Sequence, residues 1–169
     1  MIAREALISI AKMDVGMIND VWQNSLDEDN RRFVPDEVFE TIEDATEIVK
    51  QIIKLYDTKE GPFIYAVIRN EDQANIGYVQ LVKIDDGFEI GYHIAKKYTN
   101  HGYASRAVSL FLEYIKHYMN ISEIYGIALY DNLASRKVLT KCGFETIFEG
   151  YGMYQGEERK IVKTIKKLN

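Results

Sequence analysis

The sequence predicts an α/β protein built on one mixed β-sheet with helices on both faces. Three consecutive segments carry this prediction: an apolar strand at 89–95, a long amphipathic helix that begins at Gly102, and a second strand at 124–129. A strand, a helix and a strand in one sheet form a right-handed crossover between parallel strands. The apolar residues of the helix recur with helical spacing, at Ala104, Ala107, Val108, Phe111, Leu112, Ile115 and Met119.

The other strands are predicted to be antiparallel. Segments 63–69 and 76–84 are rich in β-branched and aromatic residues, and a polar turn separates them. The pair Asp86-Gly87 then turns the chain into the strand at 89–95. The sequence therefore predicts a mostly antiparallel sheet of six or seven strands with a central parallel pair. Its remaining strands are predicted at 6–10, 145–151 and 159–165.

Two helices are predicted before the strand at 63–69. Asp14 is suited to cap the first, which carries Ile18, Val21 and Trp22 on one face. The second covers 43–56 and presents an apolar stripe to the core. The polar stretch between these helices, residues 27–39, is assigned to neither a helix nor a strand.

Length and composition favour a single soluble domain covering residues 1–169, since 47% of the residues are apolar. The net charge of −5 argues against nonspecific binding to nucleic acid, and no apolar run approaches the roughly 20 residues of a membrane span. The first 13 residues do not resemble a signal peptide. Cys142 is the single cysteine, which excludes an internal disulfide. We therefore expect a cytoplasmic protein that binds neither nucleic acid nor membranes.

The turn around Gly102 has the properties of a phosphate site. A glycine between a strand and a helix lets backbone N–H groups approach a ligand, and the first N–H groups of the helix have no intrahelical partners. The glycine patterns of nucleoside triphosphate and dinucleotide sites are absent from the sequence. This geometry alone leaves open whether the pyrophosphate belongs to coenzyme A or to a nucleotide.

Three motifs together resemble the GNAT superfamily of N-acetyltransferases, and within it the RimJ/RimL-like acetyltransferases. They are Glu-Ile-Gly-Tyr at 89–92, Gly-Tyr-Ala-Ser at 102–105, and an Asn-x-x-Ser helix at Asn132 and Ser135 that ends in Gly143-Phe144. The resemblance covers nearly the whole chain and implies the GNAT fold, acetyl-CoA as cosubstrate, an amine acceptor and no metal. It implies that coenzyme-binding residues are Ile94, Asn100, His101, Gly102, Tyr103, Ala104, Ser105, Asn132 and Ser135.

The chain departs from the family pattern at two places. Thr99 and Asn100 stand where the superfamily usually has Arg or Gln and the RimJ/RimL-like branch often has Trp-Gly. Asn100 tolerates left-handed backbone angles, so it is compatible with the turn. Leu139 stands where many members have a tyrosine that protonates the leaving thiolate. The usual phenolic acid is therefore missing.

Acetyl transfer to an amine needs a neutral nucleophile, N–H donors for the thioester oxygen and a proton source for the leaving thiolate. The resemblance makes Ser135 the candidate proton source or hydrogen-bond donor for the coenzyme sulfur. A serine at this position also suits a helix cap. Glu89 is a candidate base by its type and strand, although a strand carboxylate also suits a salt bridge. Glu149 is the other candidate, by its similarity to a position that some relatives use, with Tyr151 and Tyr154 nearby.

Two further polar residues have both a functional and a structural interpretation. Asn132 offers a donor and an acceptor to the amides of pantetheine, and it also suits the start of a helix. Histidine as a residue type suits proton transfer near neutral pH, and His93 shares a strand face with Glu89, where a packed histidine is equally compatible.

The sequence identifies an acceptor only by class. A peptide α-amine, with a pKa of about 7.7–8.0, is roughly a tenth neutral at pH 7, whereas lysine is almost wholly charged. Since no strong base is evident, we expect a protein N-terminus or a small amine, with polyamines and antibiotics as other possibilities. Segments 27–39 and 149–156 are expected to form the acceptor groove. A noncatalytic acyl-CoA-binding or sensor domain is the alternative function, and the protein is expected to be a monomer or a homodimer.

Overall fold

The computed structural model describes residues 1–58 and 63–168, and these residues contain eight strands and five α-helices. Short 3-10 turns at 15–17, 35–37 and 96–98 link some of them. In chain order the elements are β1 (Ala3–Arg4), β2 (Ile8–Ala11), α1 (Ile18–Ser25), α2 (Glu28–Phe33), α3 (Ile42–Leu55), β3 (Phe63–Arg69), β4 (Asn75–Ile84), β5 (Gly87–Ile94), α4 (Tyr103–Tyr118), β6 (Glu123–Leu129), α5 (Leu133–Lys141), β7 (Glu145–Tyr154) and β8 (Glu157–Lys167).

The strands form one mixed sheet of order β1-β2-β3-β4-β5-β6-β8-β7. Neighbouring strands are antiparallel except β5 and β6, which form the predicted parallel pair. The register of β4 against β5 runs without a break from Gly77 opposite Ile94 to Ile84 opposite Gly87. By contrast, β5 and β6 share one bridging pair, Glu89 opposite Tyr125. The two parallel strands therefore separate beyond Glu89 and leave a gap in the sheet.

Helix α4 covers one face of the sheet. Its residues Val108, Phe111 and Ile115 are completely buried and belong to one apolar cluster with Val79 and Leu81 of β4. Burial of a side chain of this size stabilises the folded state by about 1.5–3 kcal/mol. The helical spacing of these residues thus fixes α4 against the sheet and holds its first turn beside the end of β5.

Helices α1 and α3 cover the opposite face. A smaller cluster there joins Met13 and Ile52 to Ala66 and Ile68 of β3. Helix α3 begins with a capping box, in which Asp44 N–H donates to Thr41 and Thr41 N–H donates to Asp44. Both faces of the sheet are therefore covered by helices, as the sequence predicts.

The structure corrects several details of the prediction. The sheet has eight strands over the described residues, not six or seven, because the short β1 pairs with β2. The first predicted strand lies at Ile8–Ala11 instead of 6–10. The unassigned stretch at 27–39 contains α2, and the last two strands are longer than predicted. No helix of the described residues is both long and apolar enough to cross a membrane.

Candidate active site

The gap between β5 and β6 presents backbone groups without a neighbouring strand. Ala95 N–H donates to Ile76 O on the β4 side, at 2.9 Å. Since N–H groups point to alternate sides of a strand, those of Ile94 and Tyr92 point toward β6. The single bridge between β5 and β6 lies before them, at Glu89. An extended ligand with amide groups is therefore able to bond β5 here as an additional strand would.

The turn that leads into α4 has two residues in left-handed conformation. Asn100 has a φ of 64° and Gly102 has a φ of 77°. Gly102 is the N-cap residue, and no side chain caps the helix there. The first N–H with an intrahelical partner is that of Arg106, which donates to Gly102 O at 3.2 Å. The N–H groups before it are therefore available to an anion, and a phosphate site here stays a prediction.

The side chains around this turn fix its shape and leave its outer side open. The His101 ring nitrogen Nδ1 lies 2.7 Å from Thr99 O, and the ring stacks on Tyr103 with centroids 5.8 Å apart. Ser105 is buried and its hydroxyl donates to Gly102 O at 3.1 Å. A Cβ built on Gly102 has no atom of the described structure within 4 Å. Residues 100–105 thus form the turn and the first residues of α4, with space in front of the exposed Gly102.

The start of α5 borders the same gap. Asn132 Oδ1 accepts the Ser135 N–H at 3.1 Å, so Asn132 caps this helix. The Tyr92 hydroxyl lies 2.9 Å from both the carbonyl oxygen and the hydroxyl of Ser135. Burial raises the pKa of Tyr92 well above its usual value, so its hydroxyl keeps its proton at neutral pH. Tyr92 therefore places a phenol beside Ser135, a contact that the sequence analysis missed.

A cleft of about 450 Å³ opens at this place. Asn132 and Ser135 line it from α5, Tyr92 and Glu89 line it from β5, and Gln80 lines it from β4. Burial raises the pKa of Glu89 to about 7, although the charge of Lys163 opposes the shift. No cation of the described residues lies within ion-pairing distance of Glu89. Glu89 is therefore set to accept a proton near neutral pH.

A second carboxylate in the cleft was not named as a site residue, although it lies in the segment 27–39 that is expected to form the acceptor groove. Glu37 lies in the polar stretch before α3 and accepts a hydrogen bond from the Tyr78 hydroxyl. Burial raises its pKa, while His93 and Gln80 act in the opposite direction. Burial also raises the pKa of Tyr154 to about 12, and the charges of Glu89 and Glu37 add to that effect. The cleft therefore brings two partly buried carboxylates close to Tyr154.

The other predicted candidates occupy different positions. Glu149 is exposed, lies 4.0 Å from Arg136 and is not among the residues that line the cleft. Tyr151 is 70% exposed, whereas Tyr154 lines the cleft. A catalytic role of Glu149 stays a prediction.

His93 is held by Asp27. Their side chains are mostly buried and lie 3.1 Å apart, between Nε2 and Oδ2. Asp27 also accepts the N–H groups of Asn30 and Lys96. Burial alone would raise the pKa of Asp27, but these hydrogen bonds and the charge of His93 lower it to about 2. This pair therefore links α2 to the end of β5, in agreement with the packed interpretation of His93.

Leu139 and Cys142 are core residues of α5 and the turn after it. Leu139 is 1% exposed, and its side chain lies 2.5 Å from the place where a Cβ on Gly126 would stand. Cys142 is buried, and its thiol donates to Ser105 O at 3.4 Å. Burial raises the pKa of this thiol, which agrees with packing and not with nucleophilic chemistry.

Comparison with known proteins agrees with this arrangement. Residues 10–145 match the family model of the acetyltransferase (GNAT) domain. The uncharacterized N-acetyltransferase YoaA of Bacillus subtilis (strain 168) is 31% identical over 124 residues, which cover 70% of this chain and 69% of that protein.

Solved structures share the fold. A GNAT-family acetyltransferase from Bacillus anthracis superposes with a TM-score of 0.82 and 24% identity, covering 98% of each chain. A RimL ribosomal L7/L12 α-N-protein acetyltransferase in complex with coenzyme A has a TM-score of 0.80 and 16% identity, covering 96% of this chain and 95% of the other. The family match spans most of the sequence and includes β5, α4, β6 and α5, which border the gap in the sheet. The chain therefore belongs to the GNAT family of acetyltransferases.

Proposed function

We propose that the protein transfers the acetyl group of acetyl-CoA to a primary amine, either a protein N-terminal α-amine or a small amine, by direct attack of the amine on the thioester. One observation carries the proposal: the gap beyond the Glu89–Tyr125 bridge runs between the open α4 turn and a cleft that contains Glu89. The RimJ/RimL-like branch is the one that this proposal favours, because RimL shares the fold.

The coenzyme is proposed to lie along this gap. Its phosphates fit the N-terminal turn of α4, where N–H groups lack partners and Gly102 leaves space. Its pantetheine amides fit the free edge of β5 at Tyr92 and Ile94, and Asn132 contributes an amide from α5. When bound, acetyl-CoA supplies an activated acyl thioester to the cleft. The contacts to the phosphates and amides of the coenzyme are far from the reacting carbon. They position that carbon because they fix the rest of the coenzyme.

Glu89 is proposed as the base. A carboxylate whose pKa is near 7 is half ionised at neutral pH and is well matched to accept a proton from an amine during attack. The cleft surface near it is acidic, since Asp85, Asp86 and Glu37 also line it, and Lys163 is paired with Asp86 at 3.1 Å. Such a surface attracts a protonated amine before the amine loses its proton at Glu89.

Ser135 is proposed to stabilise the leaving thiolate. Its hydroxyl lies at the edge of the cleft, and the protonated Tyr92 phenol lies 2.9 Å from it. A hydrogen bond to a developing anion is stronger than one between neutral groups. The Ser135 hydroxyl, oriented by Tyr92, thus offers the thiolate a hydrogen bond in place of the tyrosine that position 139 lacks.

The test combines coenzyme binding with turnover. Thermal unfolding is measured with acetyl-CoA, coenzyme A, ATP and NAD, because a ligand at a hundredfold excess over its Kd stabilises the native state by about 2.7 kcal/mol. Thiol release is then followed with acetyl-CoA and a panel of amines: short peptides with free N-termini, an N-blocked lysine peptide and putrescine. We expect stabilisation by the two CoA compounds and thiol release with at least one amine. Stabilisation without thiol release across the panel would identify the noncatalytic acyl-CoA-binding alternative.

A further inference from the structure

A second cavity lies beside the cleft, between the sheet and the helices α1 and α3. Its volume is about 220 Å³. Its wall is largely apolar: Val21 lines it from α1, Ile48 and Ile52 from α3, and Ile64 from β3. A cavity of about 150 Å³ lined by aliphatic and aromatic side chains is large enough to bind benzene. The space therefore suits one aromatic ring or one branched aliphatic group.

One polar group of this cavity has no partner. Asn30 lines the cavity, is 2% exposed, and its Oδ1 is buried without a hydrogen bond from any described residue. Its Nδ2 donates to Ser25 O at 3.2 Å, which fixes Oδ1 as the free atom of the amide. Buried polar groups are nearly always hydrogen-bonded. Asn30 is therefore a buried amide of the cavity wall with an unused acceptor.

The cavity and the cleft share a wall. Glu37, Tyr78 and Gln80 line both of them. On β5, Glu89 lines the cleft and His93 lines the cavity, four residues apart on the same strand face. That spacing corresponds to about 13 Å along a strand, which is longer than a single amino acid. The shared wall is nearer, since Gln80 lies opposite Gly91, two residues and about 7 Å from Glu89. A molecule the size of a single amino acid, with its amine at Glu89, therefore has its side group at this shared wall.

We propose that this cavity is the side-group pocket of the acceptor, and that the protein prefers primary amines that carry a branched aliphatic or single-ring aromatic group next to the amine. This inference rests on the proposed acetyl transfer and specifies its acceptor. The apolar wall accepts the side group of the acceptor. For a protein acceptor, the first residue would accordingly be a large apolar one.

The test compares three amino-acid amides that differ in the side group: glycinamide, leucinamide and phenylalaninamide. Each has an α-amine and an amide N–H, so the apolar group is the main variable. Single methylene groups in an apolar pocket change kcat/KM by about 10–200-fold. We expect kcat/KM to be at least about tenfold higher for leucinamide and phenylalaninamide than for glycinamide.

A filled pocket should remove this preference. Ile48→Phe adds a ring to the cavity wall, and Val21→Phe does so from α1 if the first variant is unstable. Ile53→Phe is the matched control, since Ile53 is also partly buried on α3 but does not line the cavity. We expect the leucinamide-to-glycinamide ratio to fall to about one in a filled variant and to persist in the control.

The outcomes separate this inference from the proposed function. Equal kcat/KM for the three amides in the unmodified protein, or an unchanged ratio in both filled variants, overturns the side-group pocket while acetyl transfer stands. If no amide and no other amine is acetylated, the proposed function fails, and the inference fails with it.

Discussion

The Tyr92 hydroxyl lies 2.9 Å from the Ser135 hydroxyl, although the two residues are 43 positions apart in the sequence. Tyr92 also donates to Ser135 O. Because the phenol has one hydrogen, the Ser135 hydroxyl keeps its own hydrogen for Tyr92 or for a ligand in the cleft. The pair therefore fixes a hydroxyl group at the edge of the gap between β5 and β6.

Removal of the Ser135 hydroxyl should slow the chemical step. We expect Ser135→Ala to lower kcat by roughly 10–100-fold, the range for loss of a hydrogen bond to a charged group, with a smaller change in the KM for acetyl-CoA. Tyr92→Phe should lower kcat by about tenfold, because Ser135 then loses the group that orients it. Steady-state kinetics with the best acceptor measures both effects.

The double variant shows whether the two hydroxyls act as one unit. If they do, Tyr92→Phe combined with Ser135→Ala is no slower than Ser135→Ala alone. Tyr151→Phe serves as a control, since Tyr151 is 70% exposed and does not line the cleft. Unchanged kcat in Ser135→Ala would remove its proposed role and leave it as a residue of the α5 cap.

The pH dependence of kcat/KM should reflect the ionisation of Glu89. A base must be ionised, so kcat/KM should rise with pH through about 7, the raised pKa of this carboxyl. We expect Glu89→Gln to lower kcat/KM by about a hundredfold and to abolish this rise. Glu149→Gln is the matched control, because Glu149 is exposed and outside the cleft lining. Loss of the rise in Glu149→Gln instead would assign the base to Glu149.

The Glu89 carboxyl should also lower the free energy of unfolding at neutral and alkaline pH. Its pKa is about 7 in the folded protein and near 4.5 when unfolded. Between these values the folded state binds more protons than the unfolded state, so the free energy of unfolding falls as the pH rises. Glu89→Gln removes this fall and should raise the free energy of unfolding at pH 8 by up to about 3 kcal/mol. Urea titrations at pH 5 and pH 8 compare the two proteins.

Gly102 should matter more for coenzyme binding than for stability. Gly102→Ala places a Cβ in the open space before α4 and costs about 1 kcal/mol because of the positive φ. Gly156→Ala carries the same backbone strain, with a φ of 80° and no atom within 4 Å of the new Cβ, but lies in the turn between β7 and β8. We expect both variants to lose similar stability, and only Gly102→Ala to raise the Kd of coenzyme A at least tenfold. Equal Kd values would contradict the phosphate site.

Substitutions of Asn132 separate its two roles. Asn132→Ala removes the cap of α5 and should lower the free energy of unfolding by about 1 kcal/mol. Asn132→Asp keeps an acceptor for the Ser135 N–H but loses the amide donor. Weaker binding of coenzyme A in both variants, measured by calorimetry, would support contact with pantetheine. Normal binding in both would make Asn132 a helix cap alone.

Local sequence patterns predicted most of the fold. The helical spacing of apolar residues placed α4 between Gly102 and Met119, and the structure has it at Tyr103–Tyr118. Polar turns placed β3, β4 and β5 within two residues of their ends. These elements bury an apolar face, so their apolar residues recur in the sequence with the period of a helix or a strand. Helix α2 has no such face: Asp27 caps it and Asn30 is its buried residue, so its six polar-rich residues gave no helical period.

The candidate site was predicted where it depends on local motifs and missed where it depends on tertiary contacts. Gly102 and Asn132 lie at the N-termini of helices. Turn and capping residues in the sequence predict such helix ends. Glu37 lies in a polar stretch and enters the cleft only because it contacts Tyr78, 41 residues away. The contact of Tyr92 with Ser135 and the free Oδ1 of Asn30 likewise depend on how distant elements pack.

The proposed coenzyme would have a second role at the single bridge between β5 and β6. Backbone pairing divides the sheet into a five-strand part and a three-strand part that are joined at Glu89 and Tyr125. A bound pantetheine would add hydrogen bonds along this seam and would complete the sheet. The cosubstrate is then also a structural element, so resistance to unfolding and to proteolysis should rise and fall with the cellular supply of acetyl-CoA.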